Sequence, residues 1–141
     1  MKRYLELIRN ILLTLEADDF SQIKRYSVDS FIPDDLSTEI ESDDPRANSP
    51  YMQEFNRISY HIELLLDEGF IEAESIPIMR TTHNDYIITR ITSRGHNYLD
   101  SVRNDTVWNQ TKAKLGDLAS SVTLSTITDV AQTLVRQMLG I

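Results

Sequence analysis

The sequence predicts an α+β fold, in which a small antiparallel hairpin sits against a helical core and two further helices follow. Three observations predict it. Apolar residues recur three and four apart in an opening segment and again in a central one, as in helices with one buried face. The central segment ends at a glycine and gives way to two β-rich runs joined by a polar connection. The remainder of the chain returns to helical spacing. At 141 residues the chain holds one ordinary core and is too short for two. Four Gly, four Pro and 40% hydrophobic residues exclude a collagen-like or wholly disordered chain.

From Met1 to Asp18, residues Tyr4, Leu5, Ile8, Leu12 and Leu15 form one apolar stripe, with Lys2, Arg3, Glu6, Arg9 and Glu16 opposite. This is an amphipathic helix. Phe20 to Ile32 is rich in β-branched and aromatic residues and is read as a short strand. Asp29 to Asp44 holds seven acids and no base, and Pro33, Pro45 and Pro50 interrupt any regular element, so an acidic loop is expected over about 29–50.

The best-defined helix runs from Ser49 or Pro50 to Glu68, with Tyr51, Phe55, Ile58, Ile62, Leu65 and Leu66 inward. Gly69 supplies the left-handed residue that commonly ends a helix. Phe70 to Ala73 and Tyr86 to Thr92 are the two extended runs, joined through Thr82-His83-Asn84-Asp85. Thr92 or Ser93 caps a helix to about Asn104 with Tyr98, Leu99 and Val102 inward. Asp105 caps another that buries Trp108, Thr111, Leu115 and Leu118, and a last helix begins near Thr123. Residues 1–104 thus form the main domain and 105–141 a helical extension.

Helix, weak strand, helix, glycine, hairpin, helix is the order of a winged helix-turn-helix domain. The helix ending at Glu68 takes the place of the helix that enters the DNA major groove in such domains. Its polar residues Asn56, Arg57, Tyr60 and His61 are then candidate base readers, and Arg90 and Arg94 candidate phosphate contacts, with Arg80 and Arg103 nearby. Against this stands the charge. The whole chain carries 14 basic and 22 acidic side chains, a net −8. Between Arg57 and Arg103 five bases meet seven acids, a poor match to a polyanion whose affinity comes from neutralised phosphates.

Other chemistry is thinly represented. Zero Cys excludes disulfides, thiol catalysis and Cys-containing zinc sites and fits a reducing compartment. His61-Ile62-Glu63 superficially matches half of a zinc deaminase motif but lacks its further ligands, and no two of the three histidines stand four apart. Neither a metal site nor a cofactor is expected. Nucleophile-elbow, phosphate-loop and dinucleotide motifs are missing from the sequence, and the expectation is a protein that is not an enzyme. No apolar run approaches the ~18 residues a membrane span needs, and Glu6 interrupts any signal core, so the expected home is the cytoplasm.

Two segments point to protein partners. The acidic loop is either simply solvated or docks on a basic surface. In the last helix Leu124, Ile127, Ala131, Leu134 and Met138 follow a 3-4 spacing, with Val130, Val135 and Leu139 flanking. That seam either pairs with its symmetry mate in a homodimer or packs back beside the Trp108 helix.

Several runs of the chain carry a resemblance: Met1-Lys2-Arg3 with Leu7-Ile8-Arg9, Ile58 to Leu65 followed by Gly69-Phe70-Ile71-Glu72-Ala73, and Ile91 to His96. It continues through Tyr98-Leu99-Asp100, Arg103 to Asn109 and Leu139-Gly140-Ile141. In these runs the chain resembles an uncharacterised family of small winged-helix-like proteins encoded by prophages and bacteria. Its departure is the acidic stretch from Asp29 to Pro50, which is longer here. The resemblance implies a winged-helix fold and a mobile-element setting, and it brings no activity or catalytic residue. The leading expectation is a phage-related regulatory protein that binds double-stranded DNA. The alternative is a protein-interaction module, an adaptor or inhibitor of a host factor, that no longer binds nucleic acid.

Overall fold

The structure, a computed structural model, describes residues 2–18, 26–37, 49–78, 83–119 and 121–140. It is an α+β arrangement in the order α1 (Leu5–Ala17), a 3-10 turn (Val28–Phe31), α2 (Asp34–Ser37), α3 (Pro50–Asp67), β1 (Ile71–Ile76), β2 (Asp85–Ile91), α4 (Ser93–Val102), α5 (Asp105–Leu115), a second 3-10 turn (Gly116–Leu118) and α6 (Leu124–Leu139).

Helix α3 faces the core through one apolar stripe, at whose edges Tyr51 and Leu66, expected inward, are half-buried. Phe55, Ile58, Ile62 and Leu65 are buried against α1, whose own Ile8, Leu12 and Leu15 are fully enclosed. Ser49 caps α3 by accepting from the Met52 N–H at 3.2 Å, and Pro50 costs nothing in the first turn, where its missing N–H would have had no partner. At the other end Gly69, at φ 71°, lets its own N–H reach the Leu66 carbonyl while Phe70 reaches that of Leu65. The chain therefore leaves α3 directly into β1.

β1 and β2 pair antiparallel, Ile71 with Ile91 and Ile76 with Asp85. The register shifts after Glu72, which pairs Arg90 while Ala73 pairs Ile88, so Thr89 bulges out and its hydroxyl donates to the Glu72 carbonyl at 3.0 Å. The strand expected in Phe20–Ile32 reduces, among the described residues, to one bridge in which the Tyr26 carbonyl accepts from Ile88 N–H. After it the chain turns at Val28–Phe31 because the Ser27 and Ser30 side chains exchange a reciprocal cap. The start of the expected acidic loop is also less open than its composition suggests. Val28 and Ile32 are buried, Pro33 leads into α2, and the Asp29 carboxylate accepts from the Tyr51 hydroxyl at 2.9 Å. The rest of that stretch, 38–48, lies outside the described residues.

Gly95 lets α4 cross the α3–β1 corner. A Cβ there would stand 2.1 Å from the Phe70 carbonyl oxygen and 2.7 Å from Ile91. The cap of α5 is Asn104, whose side chain accepts from Val107 N–H, rather than Asp105, which stands one residue later inside the first turn. Leu118 also departs from expectation. It is 63% exposed, because α5 stops at Leu115 and Gly116, at φ 53°, turns the following residues off the seam.

The polar side of α1 hides a second correction. Arg9, expected in solvent, is buried. It donates to the Val102 and Arg103 carbonyls at 2.8 and 2.7 Å and to the Asp105 carboxylate at 2.7 Å. It thereby satisfies carbonyls left over at the end of α4 and ties that end to the start of α5. Glu6 does similar work one turn earlier, accepting from the Trp108 indole at 2.9 Å and from Lys112. Burial raises the Glu6 pKa, but those two donors more than offset it and hold the carboxyl below its ordinary range.

Candidate functional site

The surface singled out by the sequence is formed by the solvent side of α3, the hairpin and the first turn of α4. Its geometry follows from how deeply α3 is set. Only Pro50, Gln53, Glu63 and Asp67 of that helix are exposed, so the outward face is narrow and its charged residues are carboxylates.

The candidate readers are placed unevenly. Asn56 is half-buried, and its side-chain oxygen is enclosed without a hydrogen-bond partner among the described residues. Arg57 is half-exposed, donates to Glu54 at 2.7 Å and lies 4.9 Å over the Tyr4 ring. Tyr60 is half-buried, with its ring edge-on to His61 at 5.4 Å. His61 cannot read a ligand, since it has no exposed surface at all. Its Nε2 accepts from the Tyr4 N–H at 2.8 Å, and Nδ1 therefore carries the proton given to the Arg57 carbonyl at 2.7 Å. Burial pushes its pKa below the ordinary histidine value, which keeps that neutral form. The ring holds the chain at the start of α1. The helical stripe places Ile62 inward, and because residues one apart differ by 100°, His61 follows it under the cover of Tyr4.

The candidate phosphate contacts are likewise engaged within the chain. Arg90 makes a two-point pair with Glu72, at 2.8 and 2.6 Å, across the hairpin. Each shifts the other: the guanidinium holds the Glu72 carboxyl below its usual range and is itself pushed up. Arg94 donates to the Glu68 carbonyl at 3.1 Å and packs beside Gly69. Arg103 pairs with Glu16 and Asp100. Arg80 lies outside the described residues. Beneath the acidic side of α3, burial first and then the Glu63 and Asp67 carboxylates push the Tyr86 hydroxyl up.

No group of three potential metal-ligating side chains converges among the described residues. The seam of α6 is split. Leu124, Ile127 and Ala131 are buried against α4 and α5 of the same chain, Leu134 is half-buried, and Met138 is 55% exposed. Sequence reasoning missed the interior roles of Arg9 and Gly95. A helical wheel cannot show that a polar residue meets the end of another helix.

The fold and this surface define a small acidic protein of α+β architecture. The chain belongs to the family described as hypothetical protein DUF2513, which matches residues 2–122. It is 35% identical over 140 residues to an uncharacterised protein of Haemophilus influenzae, covering 99% of this chain and 100% of that one. No solved structure matches it. No helix among the described residues is long and apolar enough to cross a membrane.

Proposed function

We propose that this chain is a non-enzymatic regulatory protein on a winged-helix-like scaffold, and that its α3 and hairpin surface binds another protein rather than DNA. One observation carries the reading: the arginines suited to phosphate are already held by this chain's own acids and carbonyls, while Glu63 and Asp67 occupy the outward face of α3. A groove-reading helix needs free donors on that face, and carboxylates there repel the phosphate backbone. An acidic face with a short hairpin beside it fits a basic patch on a protein partner.

The winged-helix reading itself rests on order and pairing. α1, the Tyr26 bridge, α2, α3 and the β1–β2 hairpin follow one another as in that fold, with the bridge joining the free side of β2. The same order favours a second reading, a sequence-specific DNA-binding regulator. In that case Arg57 swings away from Glu54 to a base edge, and Arg90 and Arg94 move to phosphates.

The test is a photo-crosslinking side chain placed at Glu63 in the native host, with enrichment of a random duplex library on the purified protein alongside. The proposal expects one recurrent protein adduct, lost when Asp67 is changed to Lys, and no DNA motif. Recovery of a motif that Arg57→Ala abolishes would overturn it in favour of the second reading.

A further inference from the structure

The last two turns of α6 extend past the core they start on. After Ala131 its residues lose cover: Leu134 and Val135 are half-buried, and Met138 and Leu139 are 55% and 67% exposed. Between this overhang and α4 runs an open groove of about 560 Å³. One wall presents Asn97, Asp100 and Ser101, and the other Val135, Arg136 and Leu139.

The two walls carry opposite charges that do not meet. Among the described residues Asp100 pairs only with its neighbour Arg103, at 2.7 Å, and its side chain stays 61% exposed. Arg136 makes no ion pair among the described residues, whereas Arg57, Arg90 and Arg103 each do. An apolar strip flanked by one free cation on one wall and one exposed anion on the other is complementary to itself. Turned over by a two-fold axis, the same groove sets Arg136 of each copy against Asp100 of the other, with Val135 and Leu139 meeting their counterparts near the axis.

We propose that the groove between α4 and the end of α6 is the contact by which two copies of this chain pair. A second copy gives Arg136 a carboxylate and covers the two apolar residues, which a purely apolar or purely basic partner does not. The buried seam of α6 takes no part, since Leu124, Ile127 and Ala131 already belong to the chain's own core. The inference does not depend on what α3 binds.

Sedimentation equilibrium of the full chain across micromolar concentrations tests it. The expected result is a mass that climbs from 16.3 kDa toward twice that value. Arg136→Asp and Asp100→Arg should each weaken pairing about tenfold or more, and the double variant should recover most of it. Leu139→Glu should abolish pairing while circular dichroism stays unchanged. A mass fixed at that of one chain at every concentration overturns the proposal. So does a dimer indifferent to Leu139→Glu and Arg136→Asp, which would place the contact elsewhere. If Asp100→Arg disturbs α4 through Arg103, Asp100→Asn with Arg136→Asp decides the charge question instead.

Discussion

Arg9→Met removes the guanidinium that joins α1 to the α4–α5 junction while keeping an unbranched stem of similar length. The cost follows from which partners water can reach afterwards. The Val102 carbonyl is buried, so losing its donor costs the desolvation of that group, about 1–3 kcal/mol. The Arg103 carbonyl is only part-buried and recovers a water, for about 1 kcal/mol or less. The Asp105 carboxylate is 86% exposed, so its pair with Arg9 contributes at most about 1 kcal/mol. The sum is about 3 kcal/mol, which at this size lowers Tm by about 10 °C. Urea unfolding followed by helical dichroism and by Trp108 emission measures it, since the Arg9 guanidinium lies 5.6 Å from that ring. Asp105→Asn should cost under about 1 kcal/mol. If Asp105→Asn costs as much as Arg9→Met, the ion pair and not the capped carbonyls holds the junction, and the reasoning fails.

Gly95→Ala should destabilise by about 3 kcal/mol or more in the same urea titration, because the new methyl collides with backbone at Phe70 that cannot move alone. His61 should make stability depend on pH in one direction. Its folded pKa lies below the ordinary 6.5, so both states are neutral above that pH. As pH falls through 6.5 the unfolded chain takes the proton first and stability drops, until the folded form protonates too. Chemical denaturation between pH 8 and pH 5 should show the loss, and His61→Phe should flatten the dependence over that range. Ending the chain after Val135 should leave Tm within about 2 °C in dilute solution, since Arg136 to Gly140 are exposed, whereas Ile127→Ala should cost about 2–4 kcal/mol.

Periodicity carried most of the architecture. The stripe of α3, its cap at Ser49, the stop at Gly69 and both strands follow from spacing and local turn chemistry, which one segment decides alone. What spacing could not show is where a side chain meets a distant element. Arg9 lies on the polar arc of α1 but finds the end of α4 there, and His61 lies beside a buried stripe and is closed over by Tyr4. Asn104 and Asp105 are equally good caps by type, and the backbone chose between them. The candidate surface was legible as a location, but the partners that hold its arginines were legible only in part. Glu54 stands three residues before Arg57, a pairing the sequence contains, but the partnership of Arg90 with Glu72 depends on the hairpin's shifted register. The apolar spacing of α6 is continuous, and only the extent of the body beneath it divides a core half from an overhang.

The bonds made by α1 reach far along the chain: 93 and 94 residues from Arg9 to the end of α4, and 102 from Glu6 to Trp108. During synthesis the first helix therefore leaves the ribosome long before its partners exist. Its apolar stripe can seat on α3 once that helix is made, whereas the bonds of its polar arc wait for the α4–α5 junction. A product ending before α5 seats the apolar stripe of α1 on α3 but leaves Glu6 without Trp108 and Arg9 without Asp105. The end of the chain thus locks its beginning, and the polar arc of α1 is the last part of the core to be satisfied.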